Sequence, residues 1–363
     1  MPRNRPLLSH RFVANRRRFL KGSLAVATVL PAASRMTFAQ GGQVNIYNWD
    51  TYIGENTVAN FTEATGNEVR YDLFASNDEL FAKLREGNPG YDVIFPSNDF
   101  VERLVAADRL IQLDHSKIPN IANIDQKFME AEFDQDRAYS LPYFWGTIGV
   151  GYRKSATEGM EPKAWADMFD SDQYAGRMSL LNDSDVIEVA LKYLGLSLNS
   201  SDPKEIDAAA EALIKAKPNI KAFAPDTGQD LLIAGEVDVC MEWNGDILQV
   251  MGEDDDLAYV VPEEGSILWE DAMAIPKDGP NPDGAHEFVN YILEAEVHGE
   301  IASEIKYPCP NKAARDGGFI PEEDLADSSI YPSDETLARC EVAVFDPVKD
   351  DLKEKALTRV LAA

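Results

Sequence analysis

Three short stretches of this 363-residue chain couple an indole to a carboxylate. Val239-Cys240-Met241-Glu242 is a largely apolar, strand-like run ending in Trp243, and the turn Asn244-Gly245 then delivers Asp246. Asn45-Ile46-Tyr47-Asn48 leads to Trp49, Asp50, Thr51 and Tyr52; Ile267-Leu268 leads to Trp269 and Asp271. A carboxylate accepts charge-assisted N–H bonds, while a ring face attracts a cation and walls a methylene chain. That is the chemistry of a site for an organic cation. Taken singly, each stretch reads better as a core tryptophan followed by a turn aspartate. Three of five tryptophans, each within three residues of an aspartate and each at the end of an apolar segment, favour a site.

Other chemistries find less support. No Ser/His/Asp order, metal-ligand spacing or phosphate loop is evident. The four histidines, at 10, 115, 286 and 298, are not spaced as ligands, so no transition-metal site and no cofactor are expected. A secreted hydrolase or lyase using the acids as a general acid–base pair is one rival. A binding protein for an acidic or sugar ligand is another, but an anion site needs Arg or Lys at the strand ends, and none lies in the three stretches. Cys240 sits in an apolar strand pattern as a small hydrophobe. Cys309 and Cys340 are the other two cysteines, and their pairing stays open at the level of sequence.

The first forty residues have a different character. Asn15-Arg16-Arg17-Arg18-Phe19-Leu20-Lys21 resembles the twin-arginine export motif; an apolar run from Gly22 to Ala33 and a small-x-Ala site at Thr37-Phe38-Ala39 follow. This is the order of a signal peptide, too short to span a membrane, with cleavage expected after Ala39 and a periplasmic destination. Its removal takes eight Lys/Arg and no acid, moving the net charge from −29 to −37. Such a surface repels nucleic acid and anionic lipid and draws cations into any cleft it lines. The charge exceeds what a small cationic ligand needs, and a salt-rich habitat accounts for most of it.

The elements that must position these residues alternate in type. Strand 45–48, helix 55–65 stopped by Gly66, strand 68–74 with Val69, Tyr71 and Leu73 inward, a helix capped by Asn77, and strand 91–95 before Ser97 form the rhythm of a parallel α/β sheet. Ligands of such sheets sit off the carboxyl ends of strands, where Trp49 and Ser97 fall. Tyr139–Tyr152 mixes aromatics with glycines and reads as an extended strand passing between domains; Ala272–Pro276 reads as a second. Asp183 and Asp185 open a helix, one of them spare beyond capping. Asp202-Pro203-Lys204-Glu205 is a structural helix start. At this length two domains are expected.

Tyr47-Asn48-Trp49-Asp50-Thr51-Tyr52, Tyr91-Asp92-Val93-Ile94-Phe95-Pro96-Ser97, Leu141-Pro142-Tyr143-Phe144-Trp145-Gly146, Trp243-Asn244-Gly245-Asp246 and Tyr307-Pro308-Cys309-Pro310-Asn311 together resemble the periplasmic polyamine-binding proteins, the spermidine- and putrescine-binding components of ABC importers. The resemblance implies a two-lobed type II periplasmic-binding-protein fold with a hinge and an interlobe cleft. Lobe 1 would hold residues 43–147 and 273–315, and lobe 2 residues 148–272 and 316–363. It further implies a monomer that is no enzyme, with a polyamine ligand and ABC permease subunits as partners.

Residue by residue, Trp49, Tyr52, Trp243, Trp269 and Tyr307 match family aromatics, Asp246 and Asp271 match amine-binding carboxylates, and Ser97 matches a cleft residue. Asp185 falls where the family carries an acid in the second lobe, with Asp183 as its rival. The family often has an acid directly before the tyrosine of the first motif. Here Thr51 is there and Asp50 is one place earlier, where an extended segment points the other way. Asp99 stands where spermidine-type members carry a tyrosine, as an extra cleft carboxylate. Aspartate at 246, where spermidine-type members carry a small hydroxyl residue, leans towards the putrescine-binding branch.

Overall fold

The structure, a computed structural model, describes residues 42–363. The export signal expected over 1–39 lies outside the described residues. Among the described residues ten strands organise the fold: β1 Gln43–Trp49, β2 Glu68–Phe74, β3 Val93–Ile94, β4 Ser140–Arg153, β5 Met178–Leu181, β6 Ile220–Ala224, β7 Val239–Trp243, β8 Leu257–Val260, β9 Ile267–Ala274 and β10 Glu341–Val342. They follow the order β2-β1-β3-β9-β4-β7-β5-β6, with β8 on β4 and β10 on β9.

Each end of this order is parallel, as the alternating sequence predicts. β1 pairs in parallel with β2 and β3, and β5 with β6 and β7. Between them β4 and β9 run antiparallel. Along β4 the partner changes: Ser140–Thr147 pairs with β9, whereas Ile148–Arg153 pairs with β7 and β8. One strand therefore belongs to both ends of the sheet. Its sequence allows this because glycines at 146, 149 and 151 leave room for close neighbours. A Cβ on Gly149 would lie 2.5 Å from the Tyr259 ring.

Local sequence explains most elements. β1 is a central strand and buries Val44, Ile46 and Tyr47, the apolar run that a strand covered on both faces requires. The Thr57–Thr65 helix ends at Gly66, whose φ of 77° is the left-handed cap that favours glycine. Asp202 accepts the Lys204 N–H at 2.9 Å with Pro203 as first helical residue, the structural start expected there.

Four expectations change. Leu73 does not face inward but is 49% exposed, because β2 is an edge strand; Phe74 is buried instead and packs on Trp49 with ring centres 4.5 Å apart. The helix cap is Ser76 rather than Asn77: Ser76 Oγ accepts the Glu79 N–H at 3.1 Å. This frees the Asn77 amide to bracket Ser97, donating to its Oγ at 2.8 Å and accepting its N–H at 3.1 Å. Asn244-Gly245 is no free turn but the start of the Asn244–Met251 helix, so Asp246 lies in a first helical turn. Trp269 to Asp271 do not precede a second strand; they lie inside the continuous β9. Among the described residues no helix is long and apolar enough to cross a membrane.

The candidate ligand cleft

The carboxyl ends of β1, β3 and β7 converge on the middle of β9. β1 delivers Trp49 and, past its end, Asp50 and Tyr52; β3 leads to Ser97; β7 leads to Trp243 and Asp246; β9 carries Trp269 and Asp271. With Tyr307 and Asp226, these residues line a cavity of about 320 Å³. A bulge helps to set their aim. Pro142 pairs with Ala272 but Phe144 with Asp271, so Tyr143 is the extra residue on β4. Its hydroxyl donates to the Tyr52 carbonyl at 2.7 Å and fixes the segment after β1.

The walls are aromatic and mostly edge-to-face, the geometry that ring quadrupoles prefer. Trp243 meets Trp269 at 5.4 Å and 86°, Trp269 meets Tyr307 at 5.2 Å and 74°, and Tyr307 meets Tyr52 at 5.1 Å and 88°. Trp49 approaches Trp243 from across the cavity at 6.4 Å. Its indole N–H donates to the Phe95 carbonyl at 2.9 Å, which locks the ring. Two glycines permit this packing. A Cβ on Gly245 would sit 2.3 Å from Tyr307 Cε2, and one on Gly146 would sit 2.6 Å from Trp269 Cζ2.

The acids are held by neutral donors rather than by cations. Tyr307 Oη donates to Asp246 Oδ2 at 2.9 Å, and Thr51 Oγ1 reaches Asp246 Oδ1 only at 3.5 Å. Ser97 Oγ donates to Asp271 Oδ1 at 2.6 Å. The buried Tyr52 hydroxyl faces the charge of Asp271 but makes no hydrogen bond of ordinary geometry. Burial pushes both Asp246 and Asp271 up to about 7, against the lowering effect of those hydroxyls. Burial likewise raises Asp226 and Glu242 well above the ordinary carboxylate range, and the neighbouring acids raise them further.

Sequence reading missed two acids here: Asp226, which lines the cleft, and Glu242, which clusters with Asp226 and Asp246 without lining it. Glu242 is fully buried, and its Oε2 accepts the Gly228 N–H at 2.9 Å. Carboxylate oxygens of Asp226, Glu242 and Asp246 lie within 4.8 Å of one another. That cluster suits either an ammonium head or a hard, oxygen-seeking cation. A charged residue inside the apolar run 239–243 was the signal for Glu242. Asp226 follows β6 as Asp50 follows β1 and Asp246 follows β7, but Pro225-Asp226 reads as a turn.

The remaining candidates separate. Asp183 and Asp185 lie in an adjoining cavity of about 290 Å³ with Asn77, Asp78 and Phe100, sharing Trp49 and Trp243 with the first. Asp183 Oδ1 accepts the Asp185 N–H at 3.1 Å, a capping role; burial raises Asp183 to about 6 and lifts Asp185 well above the ordinary carboxylate range. Thr51 and Asp99 line neither cavity. Thr51, at φ 48°, touches the cleft only through Asp246. Asp99 is raised to about 7 by burial, with Lys353 as the cation that opposes this most. Cys309 and Cys340 are free thiols.

Known proteins resemble this chain over most of its length. The profile of the family described as bacterial extracellular solute-binding protein matches residues 56–327. The spermidine/putrescine-binding periplasmic protein of Salmonella typhimurium is 36% identical over 297 residues, covering 81% of this chain and 84% of that protein. The putrescine-binding periplasmic protein PotF of Escherichia coli is 30% identical over 364 residues, covering 95% and 98%. A solved structure described as a putative spermidine/putrescine ABC transporter from Listeria monocytogenes superposes with a TM-score of 0.84 at 32% identity, over 88% of this chain and 98% of that one. The architecture is thus the α/β, two-lobed periplasmic-binding-protein fold with its cleft between the lobes. The relatives are extracytoplasmic transport proteins rather than enzymes.

Proposed function

We propose that this chain, which belongs to the bacterial extracellular solute-binding protein family and within it to the polyamine-binding periplasmic proteins, captures a polyamine between its lobes and delivers it to an ABC importer. The observation that carries this reading is the convergence of Asp246, from the helix after β7, and Asp271, from β9, on one cavity walled by Trp49, Trp243, Trp269, Tyr52 and Tyr307. An ammonium head needs acceptors at its end, and an alkyl chain needs rings along its length. A charge-assisted bond contributes about 1.5–3 kcal/mol net, and a buried methylene about 0.8 kcal/mol. Two heads and a butyl chain come to about 6–9 kcal/mol on these figures, the range of a dissociation constant near micromolar.

The lobes are residues 43–147 with 273–315 and 148–272 with 316–363. The change of β4's partner after Thr147 supports this division, as does the packing of the C-terminal Pro347–Ala362 helix on the Asp185–Tyr193 and Pro203–Ala216 helices. The Thr51–Asp246 and Trp49–Trp243 approaches then cross between lobes, as closure requires. Residues 1–39 serve as a twin-arginine-type signal cleaved after Ala39, and the mature protein works in the periplasm as a monomer. Putrescine is the favoured ligand on the strength of Asp246, with spermidine also accepted; relatives named for each match this chain.

Calorimetric titration of the mature protein with putrescine, spermidine, spermine and cadaverine tests the reading, at low and at high salt. Binding that survives high salt supports it, since diffuse attraction to an acidic surface is screened. Absence of binding to all four overturns it. Polyamine recovered chemically altered would instead support a carboxylate-dependent enzyme.

A further inference from the structure

One helical turn from Asp185, which lines the second cavity, Glu188 meets a cation that the chain itself supplies. Lys353, in the Pro347–Ala362 helix, is only 3% exposed. Its ammonium pairs with Glu188 Oε1 and lies 3.6 Å from Asp350. Glu188 is 1% exposed, sits one helical turn after Asp185, and leaves its other oxygen, Oε2, buried without a partner. Asp99 comes from the start of the Asn98–Ala106 helix, on the other proposed lobe. The Lys353 charge acts on Asp99 and on Asp185, and Glu188 acts on both as well. Acids from three helices thus feel this buried ammonium, and Asp99 also feels Lys349, a second buried lysine on the same helix as Lys353; of these helices, the Asp185–Tyr193 helix reaches the second cavity through Asp185.

Buried lysines are rare, and a buried pair is a weak source of stability compared with apolar packing of the same volume. The placement has a use in recognition. A ligand amine that reaches the second cavity, whose walls Trp49 and Trp243 are shared with the first, meets Asp183 and Asp185, where the field of Lys353 offsets part of the attraction. In the first cavity the acids have no such counter-charge, because hydroxyls hold Asp246 and Asp271.

We infer that Lys353 is an internal ammonium that limits how many ammonium groups the cleft accepts, biasing it towards diamines over triamines. It acts as a positioning residue, through Glu188, Asp99 and Asp185, without touching the ligand. The inference rests on the polyamine reading and adds to it a determinant of chain length.

The ratio of spermidine to putrescine affinity, measured by calorimetry on full-length mature protein, reads this out. Lys353→Met raises the ratio at least tenfold, because Glu188 and Asp99 are left seeking a cation. Lys353→Arg, which keeps the charge, holds the ratio within about threefold of the parent. Glu188→Gln removes one of the acids that offset Lys353 and lowers the ratio at least threefold; it carries the test if Lys353→Met does not fold. The double variant Lys353→Met/Glu188→Gln restores the parent ratio, which loss of packing alone would not do. An unchanged ratio in folded Glu188→Gln or Lys353→Met overturns the inference while leaving the polyamine reading intact. A parent protein that binds neither polyamine sinks the polyamine reading instead.

Discussion

Tyr307 donates its hydroxyl hydrogen to Asp246 at 2.9 Å, tying the segment after the Ala295–Ile305 helix to the first turn of the Asn244–Met251 helix. The bond holds one carboxylate oxygen in place and favours the charged form, leaving the other oxygen for an ammonium. Tyr307→Phe should weaken putrescine binding about tenfold, equivalent to about 1.4 kcal/mol, near the lower end for a hydrogen bond to a charged group. Unchanged affinity by calorimetry would show that the bond is structural only.

Asp246→Asn and Asp271→Asn should each weaken putrescine binding by an order of magnitude or more. The amide keeps the shape but loses the charge-assisted acceptor. Asp226→Asn should fall in the same range, because its carboxylate shares the cluster with Asp246 and Glu242. Affinity unaltered in Asp246→Asn and Asp271→Asn together would remove the basis for the site.

Binding should depend on pH. In the ligand-free cleft Asp246 and Asp271 hold protons up to about 7. An ammonium favours their charged forms, so binding near or below pH 7 expels protons, and affinity rises with pH. Two such groups predict about a tenfold to hundredfold loss of affinity from pH 8 to pH 6. Calorimetry in buffers of different ionisation enthalpy would measure the proton release; a flat pH profile contradicts it.

The same groups act on stability in the opposite sense. Because their folded values are raised, the contribution they make to the ligand-free fold is complete below the unfolded value of about 3.9 and is lost as pH rises through 7. The rise in melting temperature caused by saturating putrescine should therefore be larger at pH 8 than at pH 6. Equal shifts at the two values would count against cleft carboxylates as the linked groups.

Gly245→Ala should impair binding without removing any polar group. The new methyl would overlap the Tyr307 ring, with three ring atoms 2.3–2.5 Å away, and would push Tyr307 off Asp246. We expect a loss at least as large as that of Tyr307→Phe. Parent-like affinity would mean that the ring relocates freely.

Much of this site was legible because aromatic–carboxylate spacing survives without knowledge of contacts. Trp49, Trp243, Trp269, Asp246 and Asp271 share one cavity, as the three stretches suggested. The alternating pattern also read through to parallel sheet ends. What sequence could not supply was long-range pairing. Leu73 looked inward by alternation, but only the sheet order makes β2 an edge. Asn77 looked like a cap, but its amide serves Ser97, twenty residues away. Glu242 and Asp226 join Asp246 only once β6 and β7 are placed on either side of β5.

β4 and β9 stay zipped from Ser140 opposite Ala274 to Thr147 opposite Leu268, and this ribbon carries Asp271 opposite Phe144 and Trp269 opposite Gly146. If the lobes pivot where β4 changes partner, then part of the grip is built into the flexure itself. Bending that ribbon must re-aim the carboxylate and the indole together, whichever lobe is regarded as fixed. Letting go of the cargo and swinging open would then be a single event, with residence time and opening time the same quantity.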